Sequence, residues 1–139
     1  MIQVPRMLRF AKQRRGAVTV EFAIALPVLI LFTFTGLEFA RVNMIRNTAV
    51  NAAYEGARQG IVPGATADEC EDTANELFDV VRISGATVVA TPNPILPSSD
   101  SVTVTVTIPI TADNSFFTPQ LYMGSSIVSS VTLPRERQF

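Results

Sequence analysis

The 139-residue sequence contains no histidine, no tryptophan and a single cysteine, Cys70. Without histidine there is no serine–histidine triad and no histidine ligand for zinc. With one cysteine there is no internal disulfide. Charge is scarce as well, at 17% of residues, against roughly 25% in ordinary soluble domains. Mean hydropathy is nevertheless positive, +0.31, and that combination points to a membrane segment. Also missing are a nucleotide-binding glycine loop, a nucleophile–base pair and a clustered metal-ligand pattern, so neither catalysis nor a cofactor nor a metal is expected. The length suits one domain with a core of moderate size, and no internal repeat or low-complexity stretch is present.

A net charge of -1 conceals an asymmetry. Arg6, Arg9, Lys12, Arg14 and Arg15 precede residue 16 with no acid among them, whereas ten of the twelve acids lie beyond residue 42. Between the two regions, residues 17–37 read AVTVEFAIALPVLILFTFTGL, with Glu21 as their one charge. As a helix this run spans about 30 Å, the thickness of a bilayer core. Basic residues cluster before it and thin out after it, at Arg41 and Arg46. The positive-inside rule then holds the N-terminus in the cytoplasm and exports the rest. Five cations beside a span are ordinary topology signals, and no nucleic-acid partner is expected. A cleaved secretory signal would need a small-x-small site just after the apolar run; the run instead continues into Glu38-Phe39-Ala40-Arg41, helical in pattern. Pro27, inside the span, removes one helical hydrogen bond and predicts a kink.

Glu21 is the anomaly. A carboxylate inside an apolar run is costly to insert unless paired, which makes it a functional candidate. Its context is specific: a basic leader ends at Gly16, an apolar helix begins at Ala17, and Glu21 is the fifth residue of that helix. This arrangement resembles the type IV prepilin processing site. The resemblance implies cleavage between Gly16 and Ala17 by a prepilin peptidase on the cytoplasmic side, with the apolar segment kept on the mature chain. Cleavage frees an amine at Ala17, and Glu21 of a neighbouring subunit can neutralise it, relieving two desolvation costs together. Further on, Glu21-Phe22, Leu26-Pro27, Glu38-Phe39 with Arg41, and Glu55-Gly56-Ala57-Arg58 resemble the TadE-like family, the pilin-like (pseudopilin) proteins of tight-adherence pilus systems. The resemblance covers 14–60, and a closing strand near 131–136 also fits. It implies a minor rather than a bulk subunit, with other pilins, inner-membrane assembly proteins and membrane lipid as partners.

Residues 38–60 continue the helical pattern. Phe39, Val42, Ile45, Ala49, Ala53 and Ala57 form an apolar stripe, and Asn43, Asn47, Asn51 and Glu55 a polar row. Glu38 with Arg41, and Glu55 with Arg58, stand at i,i+3 ion-pair spacing. Small residues recur every four positions in two rows, Ala49/Ala53/Ala57 and Ala52/Gly56/Gly60. Such rows admit another backbone at close range: the chain's own sheet or a partner pilin helix. Val62-Pro63-Gly64 turns the chain, and Thr66-x-x-Glu69 is a capping box opening a second helix over 67–82. Its apolar face is Ala67, Cys70, Ala74, Leu77, Phe78 and Val81. Asp68, Glu69, Glu71, Asp72, Glu76 and Asp79 make a solvated acidic face, not a calcium loop. Cys70, on the apolar face, reads as a buried thiol in preference to an intermolecular disulfide.

Beyond Ser84-Gly85 the period changes. A short strand is expected over 86–91, a proline-rich loop over 92–100, and a half-buried strand over 101–111. In that strand Val102, Val104, Val106, Ile108 and Ile110 face one way, and Pro109 implies an edge or a bulge. A last strand follows over 126–133, then an unpaired tail. Phe116, Phe117 and Tyr122 are either a contact patch or sheet cover.

The expected fold is α+β and pilin-like: a long kinked N-terminal transmembrane helix, a second short helix and a small antiparallel sheet of about three strands. Its parts are a basic leader over 1–16, an assembly helix over 17–37 and an exported domain over 38–139. The function this implies is a minor pilin or pseudopilin in biogenesis of a tight-adherence type IV pilus, single-pass in the inner membrane. The alternative is an unprocessed anchored protein with an exported binding domain, which leaves Glu21 unexplained.

Overall fold

The structure, a computed structural model, describes residues 7–111, 113–116 and 124–135, with side chains from residue 16 onward. It is an α+β chain of five elements: helix α1 (Met7–Ile61), helix α2 (Ala67–Val81), and strands β1 (Thr87–Thr91), β2 (Ser101–Pro109) and β3 (Ser126–Pro134). The expected long helix, short helix and three-stranded antiparallel sheet are all present. Helix α1 begins earlier than the apolar run, taking in backbone that the sequence reading assigned to the leader, and includes Pro27. The chain divides into two compact units, Met1–Leu37 and Glu38–Phe139.

In the second unit, α1 ends where Val62-Pro63-Gly64 turns the chain. Gly64 has φ +85°, and the Ala65 N–H donates to the Val62 carbonyl at 3.1 Å. A residue with a Cβ resists that left-handed conformation at the third position of such a turn. Helix α2 then starts on the capping box read from the sequence. The Glu69 N–H donates to Thr66 Oγ1 at 3.3 Å, and the Thr66 N–H to Glu69 Oε2 at 3.1 Å. It ends at Arg82, in left-handed conformation, whose N–H reaches back to the Asp79 and Phe78 carbonyls.

The sheet order is β1-β2-β3, antiparallel throughout. Strand β2 is central, yet Pro109 stands at its end beyond β1, paired on the β3 side alone, so the strand end is a local edge as expected. Pairing with β1 begins at Thr107, two residues before Pro109, so the proline occupies the end of a central strand where no β1 donor is required. The alternation of β2 is as expected: Val102, Val104, Val106, Ile108 and Ile110 are buried, and Thr103, Thr105 and Thr107 are half-buried. Strand β3 runs one residue further than expected, and Arg135 continues the contact by donating its N–H to the Asp100 carbonyl at 2.9 Å. Residues 136–139 of the expected tail lie outside the described residues.

The core forms where α1, α2 and the inner face of the sheet meet. It contains Ile45, Ala49, Ala53 and Ala57 from α1, Cys70, Ala74 and Phe78 from α2, and the β2 valines. The polar row of α1 is outward as expected, with Asn43, Asn47 and Asn51 exposed and Glu55 half-buried. Arg58 pairs with Glu55 at 3.6 Å. Two assignments change. Phe39, placed on the apolar stripe, is 67% exposed, and Glu38 is buried in its stead. Glu71, placed on the solvated face of α2, is half-buried and accepts the Ala90 N–H of β1 at 3.0 Å. The remaining acids of that face are exposed.

A Cβ built on Gly56 would stand 2.7 Å from the Cys70 carbonyl oxygen and 3.3 Å from Ala74 and Val104. The nearest atom is backbone and cannot rotate away. Gly56→Ala is therefore expected to destabilise the second unit by about 1–3 kcal/mol, as overpacking does, and Gly56→Leu by more. Gly36, with nothing within 4 Å of such a Cβ, serves as the control: Gly36→Ala should leave the thermal melt of the full chain unchanged.

Candidate assembly surface

The first unit offers one helical surface. From Gly16 to Leu37 every residue is exposed, among them Val20, Phe22, Ile24, Leu29, Leu31 and Phe32. The span-like window of this helix is wholly unburied, unlike the core helix of a soluble protein, so its apolar side chains have no protein cover among the described residues. By length and composition it is able to cross a membrane. Glu21 lies on this surface beside Phe22, Ala25 and Leu29, and no partner for its carboxylate occurs among the described residues. Gly16 has open space where a Cβ would project, so packing within the chain does not require glycine there. Ala17 is likewise exposed.

The two small-residue rows lie in the second unit, and the structure brings them together inside it. Ala49, Ala52, Ala53 and Ala57 are fully buried, and Gly56 and Gly60 are buried with them. At Gly60 a Cβ would meet Val102 at 2.7 Å and Cys70 Sγ at 3.1 Å. Of the two occupants weighed for these rows, the chain's own sheet and α2 fill the space. Cys70 is buried, and its thiol donates to the Thr66 carbonyl at 3.2 Å. Burial, followed by the nearby charges of Glu69 and Glu71, raises its pKa, so the thiol form is favoured and nucleophilic chemistry disfavoured.

A polar cluster joins the start of this unit to the loop after β2. Glu38, 8% exposed, accepts hydrogen bonds from the Ser115 hydroxyl and, at 2.9 Å, from the Phe116 N–H. Arg41 does not pair with Glu38 as its i,i+3 spacing suggested. Its Nε donates to the Asn114 carbonyl at 3.4 Å, and its guanidinium lies 5.8 Å from the centre of the Phe116 ring. Asn114 holds the loop from the other side. It donates to the carbonyls of Ser84 and Pro109 at 2.8 and 3.0 Å, and accepts the Ser84 N–H at 3.0 Å. Phe116 remains exposed beneath Arg41; Phe117 and Tyr122 lie outside the described residues.

Sequence reasoning missed Glu38 because it took the more apolar Phe39 for the stripe. The signal was present in the spacing: Glu38 precedes the buried Ile45 by seven residues and therefore shares its face, whereas Phe39 is rotated about 100° away. Removing the carboxylate would leave two donors unbonded. Glu38→Ala is expected to cost about 1–3 kcal/mol and to expose the 113–116 loop to protease. Glu38→Gln, which keeps one acceptor oxygen, should recover part of the lost melting temperature.

No curated protein and no solved structure matches the chain. The model of one family, described as TadE-like protein, matches residues 16–58, a segment that holds Gly16, Glu21, the exposed apolar run, Glu38 with Arg41, and Gly56. Over that segment the chain is similar to the TadE-like family, and the same segment carries the helix whose length and composition suit a membrane span.

Proposed function

We propose that the chain is a minor pilin or pseudopilin of a tight-adherence type IV pilus, cleaved after Gly16 by a prepilin peptidase and assembled through the helix that follows. The observation that carries this reading is Glu21: a carboxylate on an otherwise apolar, uncovered helical surface, five residues beyond a glycine that the fold itself does not need. An anchor alone has no use for either residue. A carboxylate in lipid demands a counter-charge, and the amine freed at Ala17 of a neighbouring subunit is a cation of suitable kind at a fixed offset. Pairing would set the stagger between adjacent helices. The charge asymmetry supports an N-terminus in the cytoplasm and residues 38–139 on the far side of the inner membrane. The partners under this reading are the prepilin peptidase, other pilins and the inner-membrane assembly proteins.

Two measurements test it. N-terminal sequencing of the mature protein from cells should begin at Ala17, and Gly16→Leu should leave only the precursor. If that variant is still shortened at the same place, the prepilin reading fails; an intact Met1 on the mature protein would favour an unprocessed anchor. Glu21→Ala should be inserted and cleaved normally yet fail to join other pilins. Losing one member of a buried pair costs about 3–5 kcal/mol, or roughly two to four decades of association. Equal crosslinking of the 22–40 helix to co-expressed pilins, with and without Glu21, would sink the pairing mechanism while leaving the processing claim standing.

A further inference from the structure

The two edges of the sheet are treated differently. The β1 edge is short and partly guarded, since α2 packs beside it and Glu71 takes up the outward N–H of Ala90. The β3 edge runs the full length of Ser126–Pro134. The bonds Arg135 N–H to Asp100 O and Ile110 N–H to Ser125 O set the phase of the β2–β3 ladder. In an antiparallel pair the inward-bonding residues alternate, so Ile127, Ser129, Val131 and Leu133 bond to β2. Ser126, Val128, Ser130 and Thr132 turn their N–H and C=O groups outward. None of these outward groups has a partner among the described residues.

Natural sheets guard such an edge with lysine, a bulge or a mid-strand proline. Strand β3 has no charge from Ser126 to Pro134, and its one proline is the last residue, pointing outward where it lacks a donor. The layer above the edge is unfinished too. Ile127, Val131 and Leu133 pack against the core yet stay half-buried, while every inward residue of β2 is fully buried. An added strand would complete both the ladder and the apolar layer.

We propose that this edge pairs with β3 of a second copy of the chain, antiparallel, about a twofold axis at Ser130. Ser130 is the middle residue of β3 and belongs to the outward-bonding set, so this register overlays the whole strand on itself and sets every outward N–H against a carbonyl. It places Ile127 opposite Leu133 of the second copy on the inner face, and Val128 opposite Thr132 of the second copy on the outer face. Arg135 falls opposite an uncharged Ser125, so no like charges meet. The outer face already carries cross-strand hydroxyl pairs, Thr103 with Thr132 at 2.8 Å and Thr105 with Ser130 at 3.0 Å, and the second copy extends that ladder into a six-stranded sheet. Copies that share a membrane through their apolar helices meet at raised effective concentration. The inference is independent of peptidase processing.

The test is disulfide trapping of the full chain in membranes, in a Cys70→Ala background. Residues directly opposite in a hydrogen-bonded antiparallel pair have Cα atoms about 5.5 Å apart, within disulfide range. Ser130→Cys is therefore expected to give a disulfide-linked dimer on mild oxidation. Thr103→Cys, on the same face of the central strand, should give none above background. Adding Val128→Pro to Ser130→Cys removes one outward donor and no bond to β2, and should abolish the dimer while circular dichroism stays native. Equal dimer from Thr103→Cys, an undiminished dimer in a folded Val128→Pro chain, or crosslinking of Ser130→Cys only to a different polypeptide would each overturn the proposal. The trapping comparison stands even if the proline variant does not fold.

Discussion

With no side chain at Gly56 or Gly60, α1 comes close enough to touch backbone on α2 and valine methyls on β2 at once. The distances from their positions to Cys70, Ala74, Val102 and Val104 leave no room for a methyl group without displacement. Around them Ala49, Ala52, Ala53 and Ala57 contribute short side chains to the same contact. The core of this unit is thus thin, built by close approach instead of by large side chains. Among the fully buried residues the bulkiest are Ile45 and Ile108, followed by the β2 valines. A thin core buries less apolar area and relies more on correct spacing, so a single added methyl matters.

Because the core is thin, buried polar groups do much of the joining between elements. Glu38 ties α1 to the 113–116 loop, Asn114 ties that loop to Ser84 and Pro109, and Glu71 ties α2 to the edge of β1. Among the described residues no buried side-chain nitrogen or oxygen is left without a partner, as a low-dielectric interior requires. Each of these three residues serves two elements, and none of their bonds lies within a helix or a ladder.

Among the described residues a helical surface and a sheet edge lack cover, for different physical reasons. The helix over 16–37 exposes apolar side chains together with one carboxylate, and needs lipid or other apolar helices around it. The β3 edge exposes backbone donors and acceptors, and needs another strand. The first surface bears the TadE-like match; the second lies outside the matched residues. A helix bundle and a continued sheet make separate demands, so one chain can satisfy both.

Much of this was legible in the sequence, because local rules decide it. The apolar run, the Gly16–Glu21 spacing, the capping box at Thr66 and the strict alternation of β2 depend on composition and period alone. So did the fold class and the buried face of α2. What the sequence left open was set by which element lies beside which. The occupant of the small-residue rows was undecided because spacing reports that a backbone comes close, not whose. Pro109 marked the strand end as an edge or a bulge, but not which neighbour was missing; strand order is invisible locally, and that end is free on one side because β1 is short. Glu38 read as an ion-pair partner of Arg41, and Glu71 as solvated because charge normally seeks water. They are held inside because a loop and a strand edge, distant in sequence, present N–H or O–H donors at those places, and only the tertiary structure brings those donors there.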